Sequence, residues 1–209
     1  MKGRPRPGGL NDPRGAAAND ADDGALADAA LAAVLVHGLK PTQVVLADHD
    51  PRWARRFAAR ATELRRVLGE RARLVEHVGS TAVPGLAAKP VVDILIGIDD
   101  PDDEAAYLPD LEAVGYDLRV REPQHRCLRA GDPGEPVNLH CYPPGHPEIR
   151  KLLLFRDHLR RNTRDRRRYE TAKRELATRQ WRDMNYYATA KGPVITEILR
   201  NAGWTGSPG

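Results

Sequence analysis

The segment from 72 to 98, ARLVEHVGSTAVPGLAAKPVVDILIGI, constrains the fold more than any other part of the chain. PVVDILIGI, over 90–98, is so nearly continuous in Val, Ile and Leu that it reads as a central strand covered on both faces. ARLVEHVG, over 72–79, reads as the strand before it. Between them lie a Gly-Ser-Thr turn and a Pro-Gly break. Asp93 sits inside the apolar run, where an ionised carboxylate is costly unless it is paired or ligated. Gly79 lets a strand turn sharply without a Cβ penalty. Ser80 and Thr81 then offer hydroxyls and backbone N–H groups of the kind that hold a phosphate. Lys89 adds a compact cation, and Asp93 stands where it would hold a divalent cation that bridges phosphates. A tight turn followed by a salt bridge is the plainer alternative. A Walker-type phosphate loop is excluded, because Gly79 and Gly85 are too far apart for it and Leu86 stands where its lysine belongs.

The rest of the chain sets this segment in an α+β frame. QVVLAD (43–48) reads as a strand. Asp50 is an N-cap and Pro51 a first-turn residue for a helix whose Trp53, Phe57, Leu64 and Leu68 recur at helical spacing. DDEAAYLPDLEAVG (102–115) reads as a helix stopped by Gly115. YDLRVRE, HRCLRAG and EPVNLHCYP read as strands. Helices fill the C-terminal third, with stripes at Leu152, Phe155 and Leu159 and at Tyr169, Ala172 and Leu176. Residues 1–24, rich in Gly, Pro, Asn and Asp, cannot support a packed core, so disorder is expected there. Residues 25–37 read as a short helix, with part of a targeting segment as the alternative. The chain thus divides into an extension over 1–40, a domain over 41–204 and a flexible tail over 205–209.

Charge and cysteine content narrow the classes of partner. Residues 150–182 hold thirteen Lys and Arg against four Asp and Glu, while the whole chain carries a net charge of only +4. Such asymmetry points to an anionic partner or to polarised helices. The run from Arg164 to Arg168 is a solvated helix face. Nucleic-acid contact there is the lesser reading, because no aromatic residues are interleaved with the cations. Cys127 and Cys141 form no metal-binding pair and no disulfide framework, which fits a reducing cytoplasm. No apolar run approaches the roughly 20 residues that span a bilayer, so no membrane partner is expected.

Together, EHVGSTAVPGLAAKPVVDILI, DPRWARRF, HRCLRAGDP, NLHCYPPGHPEIRKLLLFRDHLR and YETAKRELA resemble the GrpB family, in that family's order, over about residues 43–200. The family is itself similar to the nucleotidyltransferase superfamily. The resemblance implies a small mixed β-sheet flanked by helices, with a helical C-terminal third. It also implies a Gly-Ser turn before a strand that carries two carboxylates, with a third carboxylate on a nearby strand and two metals between them. This chain departs from the pattern. Leu95 stands where the second carboxylate belongs, and VNLHCY offers Asn138 and His140 where the third would lie.

The expected function is therefore nucleotidyltransferase-like: binding of a nucleotide such as ATP, or another small phosphate-bearing ligand, with Mg²⁺-dependent nucleotidyl transfer to a small acceptor. Asp93 and His140 are the candidate catalytic and metal-holding residues. Gly79, Ser80, Thr81, Lys89, His125, Arg126, Arg156 and Lys173 are the candidate ligand-binding residues, and His77 and Asn138 the candidate pocket residues. Arg126 would clamp a carboxylate or phosphate bidentately, or form an ordinary surface ion pair. A metal-free pocket stays open, as does a non-catalytic ligand- or partner-binding module that kept the fold. So does an enzyme of another class on the same fold that forms acyl-adenylates or amide bonds.

Overall fold

The computed structural model describes residues 28–36, 38–131 and 135–206. The segment expected to be disordered (1–24) and the last three residues of the expected tail lie outside them. Amphipathic periodicity places the first long helix. Trp53, Ala61, Leu64 and Leu68 are buried along one side of α2 (Arg52–Leu68), and Asp50 accepts from the Arg52 N–H at 2.8 Å, as a capping aspartate does. Ahead of it come α1 (28–34) and β1 (Thr42–Gln43). Five strands then form one sheet: β2 (Leu74–Val78), β3 (Val92–Gly97), β4 (Asp117–Glu122), β5 (His125–Ala130) and β6 (Val137–Tyr142). Their spatial order is β2-β3-β6-β5-β4. The β3–β6 pair is parallel and the other neighbours are antiparallel. This is the small mixed sheet with flanking helices that the sequence implied.

A period of two sorts the strands into two faces. On the first, Val75, Ile94, Ile96, Leu128, Leu139 and Cys141 join Trp53, Leu64 and Leu68 of α2 and Leu111 of α3 (Leu108–Glu112) in the main core. On the second, Val78 and Leu95 are covered by Ile149 of α4 (Pro147–Arg161). Behind α4 stand α5 (Thr163–Ala177) and α7 (Gly192–Asn201). Val83 and Leu86, in the connection between β2 and β3, are buried among Leu159, Tyr169 and Ile198 of these three helices. The Gly-Ser-Thr turn is thereby held between sheet and helices.

Two expected elements come out differently. Residues 43–48 are not one strand. Thr42–Gln43 pairs with β7 (Gln180–Trp181), and further along only Ala47 forms a bridge, to Ala88. The segment passes from one partner to another and finds neither along its whole length. Residues 102–115 are not one helix. A 3₁₀ turn (Glu104–Ala106) precedes α3, and Tyr107, at φ −147°, breaks between them. Pro109 has no N–H to continue the ladder, and the buried Tyr107 hydroxyl donates to Pro101 O instead. No sequence signal announced β7 or α6 (Met184–Ala190) as a separate element.

α1 lies within the segment expected to be helical over 25–37. Asp28 bonds Arg182 and Tyr186 beside α6. Leu35 bridges Val120 on the edge strand β4, with the Val36 N–H donating to Arg119 O. The segment thus ties the C-terminal helices to the far edge of the sheet. No helix among the described residues is long and apolar enough to cross a membrane.

Candidate functional site

Val78 ends β2 opposite Asp93, so the chain must leave the strand directly over that carboxylate. Gly79 makes the exit possible. Its φ is +70°, and a Cβ there would collide with Asp93 Oδ2. Ser80–Ala82 form a single 3₁₀ turn closed by Ala82 N–H to Gly79 O and Val83 N–H to Ser80 O. The N–H groups of Ser80 and Thr81 are left out of that ladder, as the first donors of a helical turn always are. Thr81 is buried and donates to Val91 O at 3.1 Å, pinning the two ends of the loop together.

Cations gather around the turn. Lys173, on α5, is 2% exposed. Its Nζ bonds Ser80 Oγ at 3.0 Å and Ala87 O, and it lies 4.8 Å from the face of the Tyr169 ring. No carboxylate among the described residues forms an ion pair with it. Burial, with nearby Lys191 adding repulsion, brings its pKa down to about 7. The half-buried Lys89 ammonium forms no hydrogen bond or ion pair among the described residues. Burial and the charge of Arg129 lower its pKa, with Asp93 opposing and Lys191 adding to the fall. Lys191 thus acts on both lysines and Arg129 on Lys89, with Asp93 and Asp183 opposing at Lys89 and Glu170 at Lys173.

The adjoining sheet face carries the polar residues of β3, β5 and β6. Register places Asp93 beside Asn138 and Arg129, and Leu95 beside His140 and Cys127. Asn138 Nδ2 donates to Asp93 Oδ1 at 2.9 Å, and His140 Nε2 lies 4.0 Å from the same oxygen. Both side chains reach solvent, 28% exposed for Asp93 and 27% for His140. Burial disfavours the charged form of His140, but the Cys127 thiol and the Asp93 carboxylate beside it outweigh that and hold its pKa above the usual histidine value. His125 follows on β5, its ring stacked on Tyr142 and nearly parallel to that of His140.

The remaining candidates lie apart from this group. His77 falls on the core face, stacked on Phe57 at 4.8 Å and bonded through Nε2 to Thr81 Oγ1. Burial drops its pKa to about 4, so it is a neutral support beneath the turn. Strand alternation also sends Arg126 to the face opposite Asp93, where Glu104, Asp102 and two backbone carbonyls occupy its guanidinium. Arg156 is buried and spent on Glu76, Asp157 and His77 O, a tie between α4 and β2. Residues that the sequence reading missed complete the site. Arg129 and Cys127 were detectable, since they alternate with His125 along HRCLRA. Lys191 arrives from the turn between α6 and α7, and no local pattern announces it.

The protein's own donors do not complete a shell for Mg²⁺ without a ligand's phosphate oxygens. This hard cation seeks several oxygen ligands. Asp93 offers the carboxylate here, with one oxygen bonded to Asn138 and the other packed against Gly79. His140 is a nitrogen donor, and Leu95, 0% exposed, lies under Ile149. No group of three or more metal-donor side chains occurs among the described residues.

Comparison with known proteins agrees with this architecture. The family model described as "GrpB protein" matches residues 43–201. A UPF0157 protein of Halalkalibacterium halodurans is 46% identical over 183 residues, covering 85% of this chain and 93% of that protein. A dephospho-CoA kinase of Mycolicibacterium paratuberculosis is 31% identical over 206 residues, but the chain spans only 51% of it. The crystal structure of the conserved protein GrpB from Enterococcus faecalis superposes with a TM-score of 0.65 at 28% identity, over 77% of this chain and 100% of that one. The chain belongs to the GrpB family.

Proposed function

We propose that this GrpB-family protein binds a small phosphate-bearing ligand, a nucleotide such as ATP being the first candidate, at the Gly79–Ser80 turn. The carrying observation is a pair of lysines there that make no ion pair among the described residues. Lys173 is buried without a paired carboxylate, Lys89 is unpaired among the described residues, and both have pKa values lowered by burial and by neighbouring cations. An anion supplies the missing counter-charge and favours the protonated form of both. The Ser80 hydroxyl and the N–H groups of Ser80 and Thr81 supply hydrogen bonds to phosphate oxygens. No step here passes through a resident metal. Kinase chemistry does not carry over, since that name belongs to a protein of which the chain spans half.

Isothermal titration of the full chain with pyrophosphate and with ATP, without divalent metal, tests this directly. Binding in the micromolar range, weakened at least tenfold by Lys89→Ala and by Ser80→Ala, is the expected outcome. No binding of either anion, or binding indifferent to both substitutions, refutes it. A second reading has one observation in its favour: Leu95 is sealed beneath α4 where a second carboxylate would stand. On that reading the domain binds its ligand without transforming it. The two part in a product assay with ATP and mixed small hydroxyl and amine acceptors, where a binding module releases its nucleotide unchanged.

A further inference from the structure

Beside the turn, the sheet face carries a line of four side chains that anion binding leaves unused. They are Glu122, His125, His140 and Asp93, in that order. Hydrogen-bond logic runs along the line in one direction. An ionised carboxylate only accepts, so Glu122 Oε2, 2.7 Å from His125 Nδ1, takes an N–H from it. In a neutral imidazole the other nitrogen is then bare. Nε2 of His125 therefore accepts, and its partner at 3.3 Å, Nδ1 of His140, carries the hydrogen. By the same rule Nε2 of His140 is bare. It faces Asp93 Oδ1 at 4.0 Å, too far for a hydrogen bond and as expected when a lone pair meets a carboxylate. Cys127, the cross-strand neighbour of His140, has its Sγ 3.9 Å from Leu128 O and also acts on the His140 ring. Stacking on Tyr142, at 5° between planes, fixes the His125 ring, and the His140 ring lies within 8° of the same plane.

We infer that His140 Nε2 is the base of this site, accepting the proton of a hydroxyl or amine acceptor that meets the phosphate-bearing ligand, with His125 and Glu122 as its positioning residues. The identity of the occupant rests on the function proposed above, while the geometry rests on the sheet face alone. In the step, the acceptor's O–H or N–H bond breaks, the proton passes to Nε2, and the electron pair stays on oxygen or nitrogen as the nucleophile. The imidazolium keeps its Nδ1–H on His125 and turns the new Nε2–H toward Asp93, whose charge stabilises it. Asn138 holds that carboxylate in place.

Long-range ¹H–¹⁵N correlations on the full ¹⁵N-labelled chain at pH 8 read the tautomers. His125 and His140 should both carry hydrogen on Nδ1, and Glu122→Ala should move His140 toward the Nε2–H form. His140 found with hydrogen on Nε2 in the parent chain, or unmoved by both Glu122→Ala and His125→Gln, overturns the inference. Diethyl pyrocarbonate gives a chemical readout: a bare ring nitrogen attacks one carbonyl, an N–C bond forms, and monoethyl carbonate leaves. His140 should be tagged several-fold faster in the parent chain than in Glu122→Ala, and equal rates count against the assignment. Pyrophosphate added before the reagent separates the two proposals. Protection of His140 supports both. Tautomers as stated, with no heat of pyrophosphate binding in the calorimetric titration, uphold the base and refute anion binding at the turn.

Discussion

Lys173→Met removes the buried ammonium while keeping an unbranched apolar stem of similar length. The parent lysine has a pKa near 7 in the fold, against about 10.4 in an unfolded chain. A lysine with a lowered pKa makes protonation of the folded state costly. That cost is fully present below pH 7, and it shrinks as pH rises from 7 toward the unfolded value. Between pH 6 and pH 9 linkage makes the parent chain about 2–3 kcal/mol more stable from this group alone. For a domain of this size that is roughly 5–10 °C of melting temperature. The discount for solvent screening is small because the side chain is 2% exposed. Melting curves of both chains at pH 6, 7, 8 and 9 should diverge by that amount, the parent rising relative to the variant. Titration with pyrophosphate supplies the second arm. Binding should re-protonate Lys173, so at pH 8 the parent takes up a fraction of a proton per ligand, read from heats in buffers of different ionisation enthalpy. Lys173→Met should show neither proton uptake nor tight binding. Parallel melting curves, or a variant that binds as well as its parent, would refute the assignment of Lys173 as a strained cation awaiting an anion.

Other perturbations follow from the same geometry. Gly79→Ala combines a positive φ with a collision on Asp93 and should cost about 3 kcal/mol in urea unfolding. Leu95→Asp, which restores a carboxylate at the departed position, buries a charge beneath Ile149; it should destabilise the fold by at least about 3 kcal/mol without creating Mg²⁺-dependent thermal stabilisation. Asp165, buried and bonded to His158 at 2.6 Å and to Asn201, joins α4, α5 and α7, so Asp165→Ala should lose about 3 kcal/mol by the same measurement. Hydrogen bonds from Arg121 and Arg126 hold the Glu104 pKa near 2. Its contribution is present above the unfolded value of about 4.3 and is lost as pH falls toward 2, so Glu104→Gln should flatten the acid limb of the melting profile.

How much of this site could be read in advance depended on whether a residue's role was set along the chain or across it. The Gly79–Asp93 pairing was legible because both halves of the contact lie in one hairpin. The β-branched run fixes β3, the turn must end opposite it, and a charge in such a run has to be answered. Asn138 and His140 were legible because VNLHCY alternates, so naming one nominates the other. Arg126 shows where that logic needs one more step. The same alternation that puts His125 on the site face sends its neighbour to the other side, into the carboxylates of Glu104 and Asp102. Lys173 was legible as a cation beside the Tyr169, Ala172 and Leu176 stripe, yet nothing local says that its ammonium reaches Ser80, 93 residues away. Lys191 was invisible altogether, because packing of α6 and α7 brings it in. The site's directional chemistry, from Glu122 through two histidines to Asp93, lies deeper still. It exists only when two antiparallel pairings and one parallel pairing set four strands side by side. Each residue alone is an ordinary polar side chain on a half-exposed sheet, and their registration turns a row of them into an oriented base.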